Sequence, residues 1–377
     1  MWQPQEPILA YVGTYTGATG AGGNGDGIYL YRMDPSSGML AQVSVAARIP
    51  SPSWMAIHPN GHWLYAASDL SGSSSGSGSV SAFSIDRASG ALTPLNVVSS
   101  QGAGPAYVSV HPSGKYLLVA NYFGGSIAVL PILAGGSVGD ATDVHIGTGS
   151  PGPTQAASAP PGSFAISGHD GPHPHMIQSD PSGRYVLHTD LGTDRIFVWT
   201  IGLSAGKLAP HTPPYVSLPP GDGPRHFVFH PNGKWFYSVQ EEASTIARFD
   251  WDPGSGTLSL RQTLSTLPQG FAGTSFISDV RISRDGGFIY AANRLHDSIA
   301  IFAVDPQSGD LALVDEALTR GDYPRSFSLD PAGGFLFSCN QRSDAVTAFR
   351  VEEGGRRLAF TGQYTPVGSP AMILFLT

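Results

Sequence analysis

Short apolar and aromatic runs alternate along the whole chain with clusters of Gly, Pro, Asn, Asp and Ser, and nowhere does the spacing of an amphipathic helix persist for three turns. One unit recurs. A turn ending in Gly separates two strands as HPNG at Gly61, HPSG at Gly114, DPSG at Gly183, HPNG at Gly233, SRDG at Gly286 and DPAG at Gly333. Behind these turns stand WLYAAS, YLLVAN, YVLHTD, WFYSVQ, FIYAAN and FLFSCN, each followed by a further strand such as VSAFSI, RIFVWTI or SIAIFAV. Those strands run into a second turn, Asp-x-x-Ser-Gly-x-Leu, clearest at Asp34 to Leu40, Asp86 to Leu92, Asp252 to Leu258 and Asp305 to Leu311. Four strands per repeat of roughly fifty residues predict the blade of an all-β propeller rather than a helical solenoid.

Six complete inner hairpins leave a remainder. The chain ends in GSPAMILFLT, which matches the start of the first hairpin at Pro52 to Ile57, and its beginning, ILAYVGTYT and GIYLYRMD, supplies the strands that the last segment lacks. The expectation is a seven-bladed propeller over residues 1–377, one domain, with the N- and C-terminal strands sharing the closing blade. Such closure removes open sheet edges. One interval is longer than the rest: residues 133–171, rich in Gly, Ser, Pro and Ala, read as a loop insertion that ends at His173. The run from Ser71 to Ser79 reads as a hairpin tip.

Composition narrows the functions. Only 13% of residues are charged, the formal net charge is −8 and no block of Lys or Arg occurs, which argues against nucleic acid as a partner. The single cysteine, Cys339, reads as a small buried side chain in a strand. No window reaches the roughly 18 apolar residues of a membrane span, and the first residues lack a basic start followed by an apolar run, so a cytoplasmic protein without membrane contact is expected.

In a propeller the innermost strand of each blade lines the central channel and the second strand runs antiparallel to it. The start of the first and the end of the second therefore emerge at one mouth. In GDGPRHFVFHPNGKWFYSVQEE, Arg225 lies eight residues before Gly233 and Glu241 eight after it, so the two meet at one end of one hairpin. Around the ring the same positions hold Ser53 with Ser68 and Asp69, Ala106 with Asn121, His173 and His175 with Asp190, Asp279 with Arg294, and Arg325 with Asn340. Burying three arginines around one axis costs free energy that apolar packing would not, so the cluster points to an anion site. His58, His111 and His230 precede the Pro of repeat turns and are assigned no chemistry, whereas His173, His175 and His226 stand at the mouth. A His-x-His near a Glu could ligate a metal, but no HExxH or Cys-rich spacing occurs, and the site is expected to hold no metal and no cofactor. A Gly-x-Ser-x-Gly elbow in a strand-to-helix setting is also missing, which disfavours a serine hydrolase.

The motifs GPHPHM (171–176), DLGTDRI (190–196), GPRHFVFHPNGK (223–234), EEASTI ending the Glu241 segment, AANRLHDSIAIF (291–302) and GDYPRSFSLDPAG (321–333) resemble the cycloisomerase-type 6-phosphogluconolactonases. These are seven-bladed propellers, and the family includes the fungal carboxy-cis,cis-muconate lactonising enzyme. The resemblance spans essentially the whole chain. It implies hydrolysis of a sugar lactone, foremost 6-phosphogluconolactone to 6-phosphogluconate in the pentose phosphate pathway, with a small anionic lactone as the only partner. It leaves open a carboxymuconate or an unphosphorylated aldonolactone as substrate, and a non-catalytic propeller scaffold as the contrasting class. By motif it places catalysis on His175, or else His173, with Arg225, Glu241 and Arg294. Substrate contacts would come from His173, His226, Asn121, Asp279, Arg325 and Asn340. Glu241→Gln is then expected to depress turnover with little effect on folding. Two departures from the family pattern stand out, the long segment before His173 and Gln-Glu-Glu at residues 240–242 in place of Asn-Glu-Leu.

Overall fold

The computed structural model describes residues 7–17, 22–69, 78–165 and 168–377, so most of the expected hairpin tip at Ser71 to Ser79 lies outside the described residues. Seven four-stranded antiparallel sheets follow one another around a ring, and among the described residues the only helical turn is the 3-10 turn Glu353–Gly355. The closing sheet is composite. Its innermost strand, Pro370–Phe375, pairs with Ile8–Thr14, followed outwards by Ile28–Met33 and Leu40–Ala47.

The inner turns form where the repeat glycines stand. Gly61, Gly114, Gly183, Gly233, Gly286 and Gly333 all take φ between 69° and 79°, a region that side-chain-bearing residues enter at a cost. The turn histidines tie neighbouring blades together: Nε2 of His58, His111 and His230 lies 3.0, 2.8 and 3.1 Å from the carbonyls of Gly114, Gly183 and Gly286, the turn glycines of the next blade. Second strands such as Tyr116–Asn121 and Phe335–Asn340 are buried along their whole length because both faces pack against adjacent sheets. Cys339 is among those residues, and burial pushes its thiol up.

Residues 133–171 differ from the expected loop. They contain Asp143–Ile146, the outermost strand of the blade that begins at Pro105–Val110, and Ser163–Phe164, which pairs in parallel with Gly273–Thr274. The strand is hard to read because it is four residues long and its apolar side chains Val144 and Ile146 face solvent. Later in the segment the chain meets the connection between the next two blades, where the Ala157 N–H donates to the Pro220 carbonyl and the Ser158 N–H to Asp222 Oδ1 at 3.0 Å.

A single irregularity, repeated in every blade, positions the site. Each innermost strand skips one residue in its pairing with the second strand, leaving a β-bulge. The skipped residues are Ser53, Ala106, His175, Arg225, Ser278, Arg325 and Ala371. A bulge bends its strand and re-aims the side chain of the extra residue. Six of the seven bulged residues, all but Ser278, line one gap of about 10 Å³ on the axis of the ring, room for about one water.

Candidate active site

Above that gap the ring opens into a cavity of about 1140 Å³. Its wall carries His175, Glu241, Arg294 and Arg325 together with Tyr15, Asp69, Tyr122, Tyr323, Gln341 and Arg342. None of the described residues of 133–171 lines it.

Glu241 sits at the centre of the charge arrangement. Its Oε2 lies 2.7 Å from Arg225 Nε and 2.8 Å from Arg294 Nη2, and all three side chains are less than a tenth exposed. Burial disfavours the carboxylate's charge, but Arg294 and Arg225 outweigh it and hold the group below the usual glutamate range. Arg225 reaches across to the Ser278 carbonyl, while burial and then the like charge of Arg294 bring its guanidinium down to about 10. Arg294 donates to the Tyr323 hydroxyl at 3.2 Å and to the Ile277 carbonyl at 3.2 Å. Arg325 differs from both. Among the described residues it forms no ion pair, and its guanidinium stands 5.3 Å from the centroid of the Tyr15 ring at the cavity floor.

The two histidines of Pro-His-Pro-His have different surroundings. His173 has both ring nitrogens occupied, Nδ1 at 2.8 Å from the Tyr122 carbonyl and Nε2 at 2.6 Å from Asp170 Oδ1, and its ring stacks on Tyr122. It follows that His173 is held against Tyr122, and it is not among the residues that line the cavity. His175 is the bulged residue, its ring wedged between Tyr122 and His226 with centroids 5.5 and 5.0 Å away, and its buried Nδ1 has no hydrogen-bond partner among the described residues. Burial, followed by Arg225, His226, Arg325 and Arg294, drives its pKa well below the ordinary value, so the ring is neutral near pH 7.

Several residues expected at the mouth stand elsewhere. Asp279 was aligned with Arg225, yet the bulge in its strand falls on Ser278, which leaves Asp279 one position past the channel. It is paired there with His226 Nδ1 at 2.8 Å and Arg281 Nη2 at 3.0 Å. His226 packs on Trp54 and Tyr107 below the cavity. Asn121 donates to the Ser100 carbonyl at 2.8 Å and Asn340 to Thr347 Oγ1 at 2.9 Å, so both tie strands together beneath the mouth. Asp190 accepts the N–H groups of His173 and Thr193. Arg225 itself lies one layer under the cavity, in the axial gap. Among the described residues no group of three or more His, Cys, Asp and Glu side chains could hold a metal ion.

Among the lining residues that escaped the sequence reading, Tyr15, Tyr122, Tyr323, Gln341 and Arg342 all stand just outside a strand end or in a turn, where an aromatic or polar residue carries no periodic signal.

The family described as "Lactonase, 7-bladed beta-propeller" matches residues 9–375. The 6-phosphogluconolactonase of Bacillus subtilis is 34% identical over 323 residues, 86% of this chain and 85% of that protein. The 6-phosphogluconolactonase of Formosa agariphila is 29% identical over 312 residues, 82% of this chain and 83% of its own. Among solved structures, the periplasmic gluconolactonase of Pseudomonas aeruginosa superposes with a TM-score of 0.86 at 30% identity, covering 98% of this chain and 99% of that one.

Proposed function

The chain belongs to the seven-bladed β-propeller lactonase family, and on that premise we propose that it hydrolyses a phosphorylated sugar lactone, 6-phosphogluconolactone, to the open acid. The observation that carries the anionic substrate is Arg325. Its guanidinium lines the cavity floor, is kept charged despite burial by Tyr15, Tyr323, Glu241 and Asp69, and forms no ion pair among the described residues, so that a bound phosphate would meet it in bidentate geometry. Arg342 at the rim also forms no ion pair among the described residues and adds a second cation to the same cavity.

In this reading Arg225 and Arg294 are committed to Glu241 and act as a fixed positive field for the oxyanion that develops on the lactone carbonyl. Glu241 is engaged through Oε2 by both arginines and serves as their anchor. His175, neutral and on the cavity wall, takes the proton of the attacking water. His175→Ala is therefore expected to lower turnover about 100-fold or more, the range of a lost general base, whereas His173→Ala, whose ring nitrogens are already occupied, should cost less. The reverse ranking would move the base to His173.

The deciding assay is hydrolysis of freshly made 6-phosphogluconolactone, with glucono-δ-lactone alongside and spontaneous opening subtracted. A clear excess rate with a preference for the phosphorylated lactone is expected, and Arg325→Ala should lower kcat/KM for it by about 10- to 100-fold, the worth of a charge-assisted hydrogen bond. No excess over the spontaneous rate would remove the lactonase reading. A preference for glucono-δ-lactone would place the chain with gluconolactonases, the name that the Pseudomonas neighbour carries.

A further inference from the structure

Tyr323 stands directly before Pro324, the first residue of an innermost strand. The equivalent residues before Pro52, Pro105, Pro224 and Pro370 are Ser51, Gly104, Gly223 and Ser369, and all of them, like Tyr323 at φ 64°, have positive φ. This backbone region favours glycine and penalises bulky side chains, so the turn has no use for a phenol. Here the conformation is held from both sides: Asp297 Oδ1 accepts the Tyr323 N–H at 2.8 Å, and the Gln341 N–H donates to the Tyr323 carbonyl at 3.0 Å. A strained residue that its neighbours over-determine, on the wall of the cavity, is a signature of function.

Two guanidiniums stand by the ring, Arg342 at 3.8 Å from its centroid and Arg294 at 5.2 Å. Arg294 Nη1 donates to the hydroxyl oxygen at 3.2 Å, while the hydroxyl's own proton has no acceptor among the described residues. From this geometry, and resting on the lactonase reading above, we propose that Tyr323 is the general acid of the reaction and protonates the ring oxygen as the lactone opens. The water oxygen bonds to the carbonyl carbon as His175 takes its proton. The bond from that carbon to the ring oxygen then breaks, its electron pair stays on the ring oxygen, and the phenol proton passes to it to form the product hydroxyl. Solvent re-protonates the tyrosinate and receives the proton held by His175. The surroundings suit this role. Burial alone would raise the phenol's pKa, but Arg294 and Arg325 outweigh it against the opposing charge of Glu241, and Arg342 adds to the effect, so the group ionises below the ordinary tyrosine value. Tyr15 lines the same cavity, and Asp297 accepts its backbone N–H.

The test uses the full chain and 6-phosphogluconolactone, with spontaneous opening subtracted at each pH. Tyr323→Phe is expected to lower kcat about 100-fold with KM changed less than about threefold, as for loss of an acid catalyst rather than of binding. The wild-type rate should fall on the alkaline side as the phenol ionises. That limb should vanish in Tyr323→Phe and move to lower pH when 3-fluorotyrosine, a stronger acid, is incorporated at position 323. Turnover in Tyr323→Phe above about a third of wild type, or an alkaline limb that is missing from the wild type or unmoved by fluorination, would overturn the assignment. A wild-type protein with no excess rate at all would instead remove the lactonase reading on which it rests.

Discussion

Glu241→Gln should unfold at a clearly lower denaturant concentration than wild type and turn over about 100-fold more slowly or worse. Seen from the sequence, the substitution removes a charge and keeps the shape, which suggested an intact fold. The structure alters that expectation, because the same oxygen, Oε2, meets Arg225 at 2.7 Å and Arg294 at 2.8 Å, and both guanidiniums are almost fully buried. Removing one partner of a buried ionic cluster costs about 3–5 kcal/mol, since the remaining charges stay desolvated and uncompensated. Here two like charges would also face each other. Activity falls for the linked reason that both arginines lose the anchor fixing them beneath the lactone carbonyl, and one displaced oxyanion donor is worth about 3 kcal/mol.

The pH dependence gives an independent check. Glu241 is held below its unfolded value, so its contribution is fully present above the ordinary glutamate pKa of about 4.3 and is lost as pH falls through the folded value. The stability difference between wild type and Glu241→Gln should therefore narrow as pH is lowered below about 4.3, measured by urea unfolding at each pH. A constant difference, or equal midpoints with near-normal turnover, would show that the carboxylate carries neither role.

Deleting residues 369–377 should abolish cooperative folding. The lost segment contains Pro370–Phe375, the innermost strand of the closing sheet, and buries Met372, Ile373 and Phe375 between neighbouring blades. Full burial of a large apolar side chain is worth about 1.5–3 kcal/mol, so these three account for roughly 5–9 kcal/mol, against a total stability of about 5–15 kcal/mol for ordinary domains. The deletion also strands partners: the Met55 N–H loses Met372 Sδ, the Leu9 carbonyl loses the Leu376 N–H, and Ser326 Oγ loses the Ala371 carbonyl. Calorimetry of the truncated chain should show a broad or missing transition. A melting temperature equal to that of the intact chain would mean that the shared blade contributes nothing to closing the ring.

What was legible in the chain was local. A Gly forced to φ near 70° between two apolar strands specifies a hairpin wherever it occurs, and six such hairpins with matching ends imply a ring of seven blades. The same local symmetry about Gly233 brings Arg225 and Glu241 together. The tertiary structure decided everything that depends on how blades face one another. Pairing register put the bulge on Ser278 rather than Asp279, and a one-residue shift in a strand sends a side chain to the other face. Packing of adjacent blades filled both nitrogens of His173 while leaving His175 neutral in the wall, and it gave Glu241 to Arg225 and Arg294 but not to Arg325. Tyr323 and Arg342 became part of the cavity only when the ring was complete. The division has a physical cause: turn conformation and pairing within a hairpin are governed by interactions a few residues apart, whereas charge pairing, burial and the closing strand pair are set between residues tens to hundreds of positions apart, which only closure of the ring brings into contact.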